Sequence, residues 1–306
     1  MQFLYLLERI RNPFLDAFFS VITLLGDETL FIAIAITVFW CVNKRTGYYL
    51  LTVGFFGTLL NQFLKLVCRV PRPWVRDPNF TIVESAREAA TGYSFPSGHT
   101  QSITGSMGCL ARASKKGVVR VVCMTLIALT AFSRMYLGVH TPADVGVSLA
   151  IGAVLVFALY PLFEKSRENP GILMAVVGVL TACSLAYVLF VELFPWPADM
   201  DPHNLESGIK NGYTLLGCGL AMLVSFYVEN RYINFNERAT WQGQLLKLVL
   251  GFAIVLGIKA GLKPVLESFL PAMPARSVRY FLMVIFAACI WPLTFPFLSN
   301  IGQKKK

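Results

Sequence analysis

Two histidines, three cations, a serine, a glycine and a carboxylate fall in three short segments of this sequence. The segments are "KLVCRVPRP" (65–73), "PSGH" (96–99) and "SRMYLGVHTPAD" (133–144). Transfer of a phosphoryl group needs such a set, because the phosphate oxygens require fixed positive charge and N–H donors. The phosphorus atom also requires an in-line nucleophile, and the leaving oxygen requires a proton. The three segments therefore predict a phosphoryl-transfer site if the fold brings them together.

The candidate phosphate-binding groups are side-chain cations and backbone donors. Lys65, Arg72 and Arg134 would hold the phosphate oxygens, the arginines through forked hydrogen bonds. Ser97 and Gly98 stand at a predicted helix start, where free N–H groups attract anions and glycine permits close approach. Simpler interpretations exist: Ser97 fits an N-cap, Lys65 fits a helix-end cation, and the arginines fit interfacial anchors.

The candidate catalytic residues are His140, Asp144 and His99. Asp144 follows His140 by four residues, one helical turn, so its carboxylate can hold one ring nitrogen protonated and leave the other nitrogen as the nucleophile. His99 has no carboxylate at that spacing and is the better candidate for protonating the leaving oxygen. Thr141, Pro142 and Asp144 also fit an N-cap, a first-turn proline and a capping-box acid, and both roles are compatible.

The composition is that of a membrane protein. Of the 306 residues, 56% are hydrophobic and only 14% are charged, whereas a soluble domain carries nearer a quarter charged residues. Several uncharged windows reach or approach the roughly 20 residues that span a bilayer. The seven cysteines lie in or beside apolar segments without CxxC spacing, so we expect small buried side chains rather than disulfides or a zinc site.

The hydrophobic pattern predicts an all-α, polytopic helical bundle with about nine transmembrane helices. An amphipathic N-terminal helix is expected to lie in the membrane interface before the first span. The predicted spans cover residues 21–42, 46–68, 97–113, 117–137, 142–163, 171–194, 211–229, 242–263 and 278–298.

Lysine and arginine in the short loops predict the orientation of the chain. The clusters that would be cytoplasmic are Lys44 and Arg45, Arg112 to Arg120, Lys165 and Arg167, Arg231 and Arg238, and Lys304 to Lys306. The formal net charge of +10 is scattered among these clusters, which favours membrane orientation over nucleic-acid binding. Lys65, Arg72 and Arg134 break the pattern on the outward side. Ionisable groups at membrane depth are rare and usually functional, so this exception marks a candidate site.

These residues resemble the type 2 phosphatidic acid phosphatase superfamily, whose signature is KxxxxxxRP, PSGH and SRxxxxxHxxxD. The chain matches all eleven fixed positions. They are Lys65, Arg72 and Pro73, then Pro96 to His99, then Ser133, Arg134, His140 and Asp144.

The resemblance implies that His140 forms a phosphohistidine, that Asp144 orients it, and that His99 protonates the leaving group and later activates water. Lys65, Arg72, Ser97, Gly98 and Arg134 would bind phosphate. No metal or other cofactor is expected. The implied fold is a phosphatase core of about six helices in residues 1–165. Residues 166–306 would then add four further spans, which could frame a lipid entry groove, make a homodimer contact, or stabilise the bundle.

The leading hypothesis is an integral membrane phosphatase, in the plasma membrane, acting on a lipid phosphate or polyprenyl diphosphate at the extracytoplasmic face. The N-terminus would be extracytoplasmic and the C-terminus cytoplasmic; the partners would be the substrate and the bilayer, with no nucleic acid. A phosphotransferase that passes the group to an alcohol is an alternative. A transporter with an anion site is another, but it has no need of a histidine pair with a carboxylate.

Overall fold

The computed structural model describes residues 1–302, and every regular element in that range is helical. The helices are α1 Gln2–Arg9, α2 Pro13–Thr23, α3 Glu28–Cys41, α4 Lys44–Cys68, α5 Pro73–Arg76, α6 Gly98–Ala113, α7 Gly117–Tyr136, α8 Pro142–Lys165, α9 Pro170–Leu193, α10 Pro202–Val228, α11 Trp241–Glu267, α12 Ala272–Ile285 and α13 Phe295–Leu298. Short 3-10 segments at Leu24–Gly26, Glu84–Ala86 and Trp291–Thr294, and π segments at Glu229–Ile233 and Phe286–Ile290, complete the order. The predicted all-α fold class is confirmed.

The described helices include seven that are long and apolar enough to cross a membrane. An eighth results if the bent pair Pro13–Gly26 and Glu28–Cys41 forms one span. The predicted nine also included residues 97–113, but α6 has only 16 residues and falls short of that length. The predicted count of nine spans stays a prediction.

The predicted first span, residues 21–42, is wrong as a single straight helix. The chain bends by 51° between Gly26 and Glu28. Asp27 causes the new start, because its Oδ1 accepts a hydrogen bond of 2.7 Å from the Thr29 amide and so caps α3. At the N-terminus, α1 is amphipathic as predicted, and Leu4 and Leu7 on its apolar side are buried within the protein.

The chain forms two compact units that are not consecutive in sequence. The first unit comprises Met1–Ile34, Tyr49–Pro161 and Pro195–Gly208, and the second comprises Ala35–Tyr48, Leu162–Phe194 and Ile209–Lys306. All three predicted site segments lie in the first unit. The predicted division at residue 165 into a catalytic core and added helices remains a prediction.

In the first unit, two apolar clusters hold the ends of α6 and α7. One contains Phe19, Tyr136, Leu137 and Val139, directly before His140. The other contains Ile103, Met107, Cys123 and Ile127, along the contact between α6 and α7. Gly26 adds a close approach: a Cβ there would lie 2.8 Å from both the Cβ and the carbonyl oxygen of His99. The turn before α3 can therefore pack directly on the backbone of the PSGH segment.

In the second unit, two polar contacts join residues far apart in the chain. The Trp40 indole donates to the Ala287 carbonyl at 2.8 Å, and Lys44 Nζ lies 2.7 Å from Glu229 Oε1. The cysteine prediction holds in part: none of the seven cysteines in the described chain forms a disulfide, and Cys109, Cys123, Cys218 and Cys289 are buried. Cys68 and Cys183 are exposed at the protein surface, which corrects the expectation that every cysteine is buried. The lysines 304–306 of the orientation argument lie outside the described residues.

Candidate active site

The turn between α7 and α8 places His140. After Tyr136, the backbone reverses at Gly138, whose φ is +82°, a left-handed conformation that favours glycine. The amides of Val139 and His140 both donate to the Arg134 carbonyl at 3.2 Å. This bonding fixes His140 beside the end of α7, so that Arg134 and His140 of the third motif share one turn.

The two ring nitrogens of His140 face groups of opposite charge. Nε2 lies 2.9 Å from Nη1 of Arg72, and Nδ1 lies 3.5 Å from Oδ2 of Asp144. A guanidinium can only donate and a carboxylate can only accept. The neutral tautomer with its proton on Nδ1 fits the charges of both neighbours, although Nδ1 has no hydrogen-bond partner among the described residues. The lone pair of Nε2 then points toward the cations. Both His140 and Asp144 are about 1% exposed.

Asp144 combines the two roles considered from the sequence. Its Oδ2 accepts a hydrogen bond of 2.7 Å from the Thr141 amide, and its own amide donates to Thr141 Oγ1 at 3.3 Å. This reciprocal pair is the predicted capping box at the start of α8. The same Oδ2 also accepts a hydrogen bond of 2.6 Å from Ser94 Oγ. The cap and the histidine contact thus share one carboxylate oxygen.

Lys65 and Arg72 are buried and bind carbonyls of the segment 91–93. Lys65 Nζ donates to the carbonyls of Tyr93 at 2.9 Å and Thr91 at 3.3 Å. Arg72 donates from Nη2 to Thr91 at 2.7 Å and from Nε to Gly92 at 3.0 Å. Neither cation is paired with a carboxylate by an ion-pair contact in the described chain, so their positive charge is available to an anion.

Arg134 is fully buried and only partly satisfied. Its Nη1 donates to Thr23 Oγ1 at 2.6 Å, whereas Nε and Nη2 have no hydrogen-bond partner within the described residues. Burying a charge whose N–H donors have no partner costs free energy, and an anionic partner would reduce that cost. The interpretation of Arg134 as an interfacial anchor is wrong, because its side chain is 0% exposed.

The PSGH segment begins α6 as predicted. Ser97 is the N-cap, and its Oγ accepts from Thr100 Oγ1 at 3.0 Å and, weakly, from the Thr100 amide at 3.4 Å. The Ser97 amide donates to the Asp144 carbonyl at 3.2 Å, which ties the second motif to the third. Around Gly98 the space is open, since a Cβ there would meet only Asn61 Oδ1, at 3.9 Å. His99 follows in the first turn and is partly exposed.

The structure therefore brings all the sequence-predicted site residues into one unit. Lys65, Arg72 and Arg134 interact electrostatically with both His99 and His140. Sequence reasoning missed Ser94, Thr23 and the carbonyls of residues 91–93. Ser94 stands two residues before PSGH, so proximity was the one available signal. Thr23 is 111 residues from Arg134, and nothing in the sequence indicates that contact.

The electrostatic surroundings favour a neutral His140. This residue lies in the turn between α7 and α8, and burial is the main cause that lowers its pKa well below the usual value for histidine. The positive charges of Arg72, Arg134 and Lys65 lower this pKa further. The imidazole is therefore unprotonated at neutral pH, which is the form able to attack phosphorus.

Together, the apolar helices and the buried cationic pocket with its histidine pair define a polytopic membrane protein with a candidate anion site. Within residues 1–302, no group of three or more His, Cys, Asp or Glu side chains is placed to hold a metal ion.

Comparison with known proteins assigns the family. The PAP2 superfamily model matches residues 45–168, and the model of the PAP2 superfamily phosphatase transmembrane extension matches residues 213–304. The chain belongs to the PAP2 superfamily, the type 2 phosphatidic acid phosphatases, and is a multi-pass membrane phosphatase of that group. The recognition made from the three motifs is confirmed.

Three proteins that are similar to this chain are named for lipid substrates. The chain is 25% identical over 294 residues to lipid phosphate phosphatase delta of Arabidopsis thaliana, covering 90% of this chain and 70% of the relative. It is 31% identical to a probable sphingosine-1-phosphate phosphatase of Dictyostelium discoideum, over 49% of this chain and 39% of the relative. It is 33% identical to undecaprenyl-diphosphatase BcrC of Bacillus subtilis, over 41% of this chain and 62% of the relative. No solved structure matches the chain significantly.

Replacement of Gly138 tests how the turn holds His140. A Cβ at this position would lie 2.7 Å from Arg11 Nη2 and 3.0 Å from Phe80, and the left-handed backbone adds about 1–2 kcal/mol for a residue other than glycine. We expect Gly138→Ala to lower the thermal unfolding temperature in detergent and to reduce phosphate release. Gly146→Ala is the matched control, because nothing lies within 4 Å of a Cβ there. Equal unfolding temperatures and equal phosphate release in the two variants would contradict the role of the Gly138 turn in holding His140.

Proposed function

We propose that this protein is an integral membrane phosphatase that hydrolyses a lipid phosphate monoester or a polyprenyl diphosphate through a phosphohistidine on His140. The observation that carries the proposal is the placement of His140 Nε2 2.9 Å from the Arg72 guanidinium, in a buried site that also contains Arg134 with two unpartnered nitrogens. A phosphate group bound by the cations would have its phosphorus next to the lone pair of Nε2.

The first chemical step forms the bond between Nε2 and phosphorus as the bond from phosphorus to the lipid oxygen breaks. His99, in the first turn of α6, gives a proton to the departing oxygen. Burial and the charges of Arg134, Lys65 and Arg72 lower the pKa of His99, so His99 acquires this proton only when the bound phosphate offsets those charges. Asp144 stabilises the His140 ring through Nδ1, where positive charge develops. Lys65, Arg72, Arg134 and the free N–H groups around Ser97 and Gly98 bind the phosphoryl oxygens in the transition state.

The second step releases phosphate. His99, now neutral, takes a proton from a water molecule whose oxygen attacks the phosphorus. The bond from phosphorus to Nε2 breaks, inorganic phosphate leaves, and His140 returns to its neutral form. All bonds and protons balance with one water consumed, and the proposal requires no metal ion or cofactor.

The substrate class and location rest on other observations. Relatives named for lipid phosphate, sphingosine-1-phosphate and undecaprenyl diphosphate support a lipid substrate. The positive charges of the loops after α3, α6 and α8 support a cytoplasmic location for those loops and an extracytoplasmic active site. We place the protein in the plasma membrane with its N-terminus outside, as the leading hypothesis states.

Replacement of the two histidines separates their roles. We expect His140→Ala to abolish phosphate release from phosphatidate by a factor on the order of 10³ or more and to form no phosphoenzyme. His99→Ala is expected to lower turnover similarly, yet to retain slow labelling of His140 by a radiolabelled substrate with a good leaving group. The label should be acid-labile and stable in alkali. Ser106→Ala, a buried change on the same helix as His99, is the folding control.

Undiminished phosphate release by His140→Ala would overturn the proposal. Product analysis in the presence of added glycerol or another alcohol distinguishes hydrolysis from phosphotransfer, because a transferase forms a new phosphate ester. Flux of an anion across liposomes that survives the His140 replacement would instead favour a transporter.

The pH dependence tests the electrostatic role of Arg72. His140 is reactive when neutral, so activity is lost as the pH falls through its pKa, which the cations hold below the usual value of about 6.5. Removing one cation in Arg72→Gln raises this pKa, and the acid limb of the single-turnover rate should move to higher pH. Because Arg72 also binds the phosphate, its removal changes the ionisation of the bound substrate, so the pKa of His140 is measured directly from its imidazole NMR signals without substrate. An unchanged or lower pKa of His140 in the variant would contradict this assignment.

A further inference from the structure

Ser94 makes a contact that the three motifs do not include. Its hydroxyl donates to Oδ2 of Asp144 at 2.6 Å, and its amide donates to the Val70 carbonyl at 2.8 Å. The side chain is 0% exposed. Since a carboxylate has no proton to give, the serine is the donor, and the bond is of the stronger, charge-assisted kind.

The contact acts on the oxygen that faces the nucleophile. Oδ2 of Asp144 accepts from Ser94 and from the Thr141 amide, and it lies 3.5 Å from Nδ1 of His140. Two donors from different parts of the chain fix the direction of the carboxylate, whereas the Thr141 amide alone belongs to the same helical turn. Through Val70, Ser94 also ties this carboxylate to the segment that carries Arg72.

We propose that Ser94 is a positioning residue of the phosphatase reaction. It holds Asp144 so that Nδ1 of His140 keeps its proton and Nε2 keeps its lone pair directed at the bound phosphate. This inference rests on the proposed function, since it acts through the nucleophilic role of His140.

A double-mutant cycle between Ser94 and Asp144 tests the proposal. We expect Ser94→Ala to lower kcat for phosphatidate about tenfold with KM nearly unchanged, because the lost hydrogen bond goes to a charged group. Ser94→Cys, which retains a weak donor, should recover part of the loss. In an Asp144→Asn background, the same Ser94→Ala change should cost less than about twofold. Ser106→Ala is the matched control: it is a buried serine whose hydroxyl bonds only to carbonyls of its own helix.

Equal losses from Ser94→Ala in both backgrounds would overturn the positioning role, as would full activity of Ser94→Ala while His140→Ala is inactive. Failure of the proposed function has a different result, namely activity of His140→Ala itself. The two hypotheses therefore fail separately.

A cavity of about 310 Å³ lies against Arg72. It is lined by residues of the loop 87–93 and by Asp201, His203 and Asn204 at the start of α10. The segment Pro195–Gly208 belongs to the first unit, although it lies between α9 and α10 in sequence. Tyr93 Oη donates to Met200 Sδ at 3.4 Å, and Arg69 Nη1 lies 3.7 Å from Asp199 Oδ1, which holds this segment beside the loop.

The charges in the cavity indicate what it accepts. Arg72 is turned toward His140 and loop carbonyls, and Arg87 is paired with Glu84 at 2.7 Å. Glu88 and Asp201 add two carboxylates. Asp201 Oδ1 caps α10 by accepting hydrogen bonds from the backbone amides of His203 and Asn204. The side chains of these two residues take no part in this cap. Two carboxylates beside arginines that already have partners disfavour a second phosphate. Hydroxyl groups suit this lining, because they both donate and accept hydrogen bonds.

The geometry points to this cavity as a subsite for a hydroxyl-bearing group next to the substrate phosphate, with His203 and Asn204 as specificity-determining residues. The inference again rests on the proposed function, because Arg72 links the cavity to the phosphate site. It assigns to the segment between α9 and α10 a role in substrate choice that the three motifs do not contain.

Two substrates that differ in hydroxyl content test the subsite. For the variant His203→Ala/Asn204→Ala, we expect the ratio of kcat/KM for lysophosphatidate to that for dodecyl phosphate to fall about tenfold, as one or two neutral hydrogen bonds are lost. Asn79→Ala, in the same unit but outside the cavity lining, should leave the ratio unchanged. An unchanged ratio in the double variant would overturn the proposal. So would a loss confined to farnesyl diphosphate, which would indicate a second-phosphate site. Wild-type activity on both monoesters shows that the proposed function itself holds.

Discussion

The constraint on which the site depends is the burial of positive charge. Lys65, Arg72 and Arg134 are each at most 7% exposed, and no ion-pair contact in residues 1–302 neutralises any of them. Burying a charge is costly unless it is paired and hydrogen-bonded. The protein meets part of that cost with backbone carbonyls for Lys65 and Arg72. For Arg134 it leaves two nitrogens without a hydrogen-bond partner among the described residues, and an anion such as the proposed phosphate would lower the free energy of the pocket.

The backbone around the pocket is organised to make this arrangement possible. Gly138 allows the reversal that returns His140 to the end of α7, and Gly26 allows a turn to pack on His99. The carbonyls of residues 91–93 accept hydrogen bonds from Lys65 and Arg72 of the first motif segment. These features use backbone groups as ligands, and backbone ligands require a precise path of the chain rather than particular side chains. That explains why the segments between the motifs matter to the site.

One carboxylate has a central place in the geometry. Asp144 caps α8, receives Ser94, and faces His140, while its carbonyl accepts the Ser97 amide. The second and third motifs are therefore joined through a single residue. The structural and catalytic interpretations of Asp144 are not alternatives: the capping geometry is what aims the carboxylate at the imidazole.

The sequence by itself determined the class of the protein and the members of the candidate site. Long apolar windows require membrane helices whatever the packing, and the eleven motif positions named the cations, the histidine pair and the carboxylate. Helix starts at Ser97 and Pro142 were also readable, because caps depend on neighbours in sequence.

Tertiary structure alone decided the contacts made by Thr23, Ser94 and the carbonyls of residues 91–93. It also placed Pro195–Gly208 in the first unit. These contacts join residues far apart in the chain, and they follow from how helices pack rather than from any local pattern. A hydroxyl or a carbonyl becomes a ligand only when the fold aims it at a charge, and that direction is a property of the packed structure.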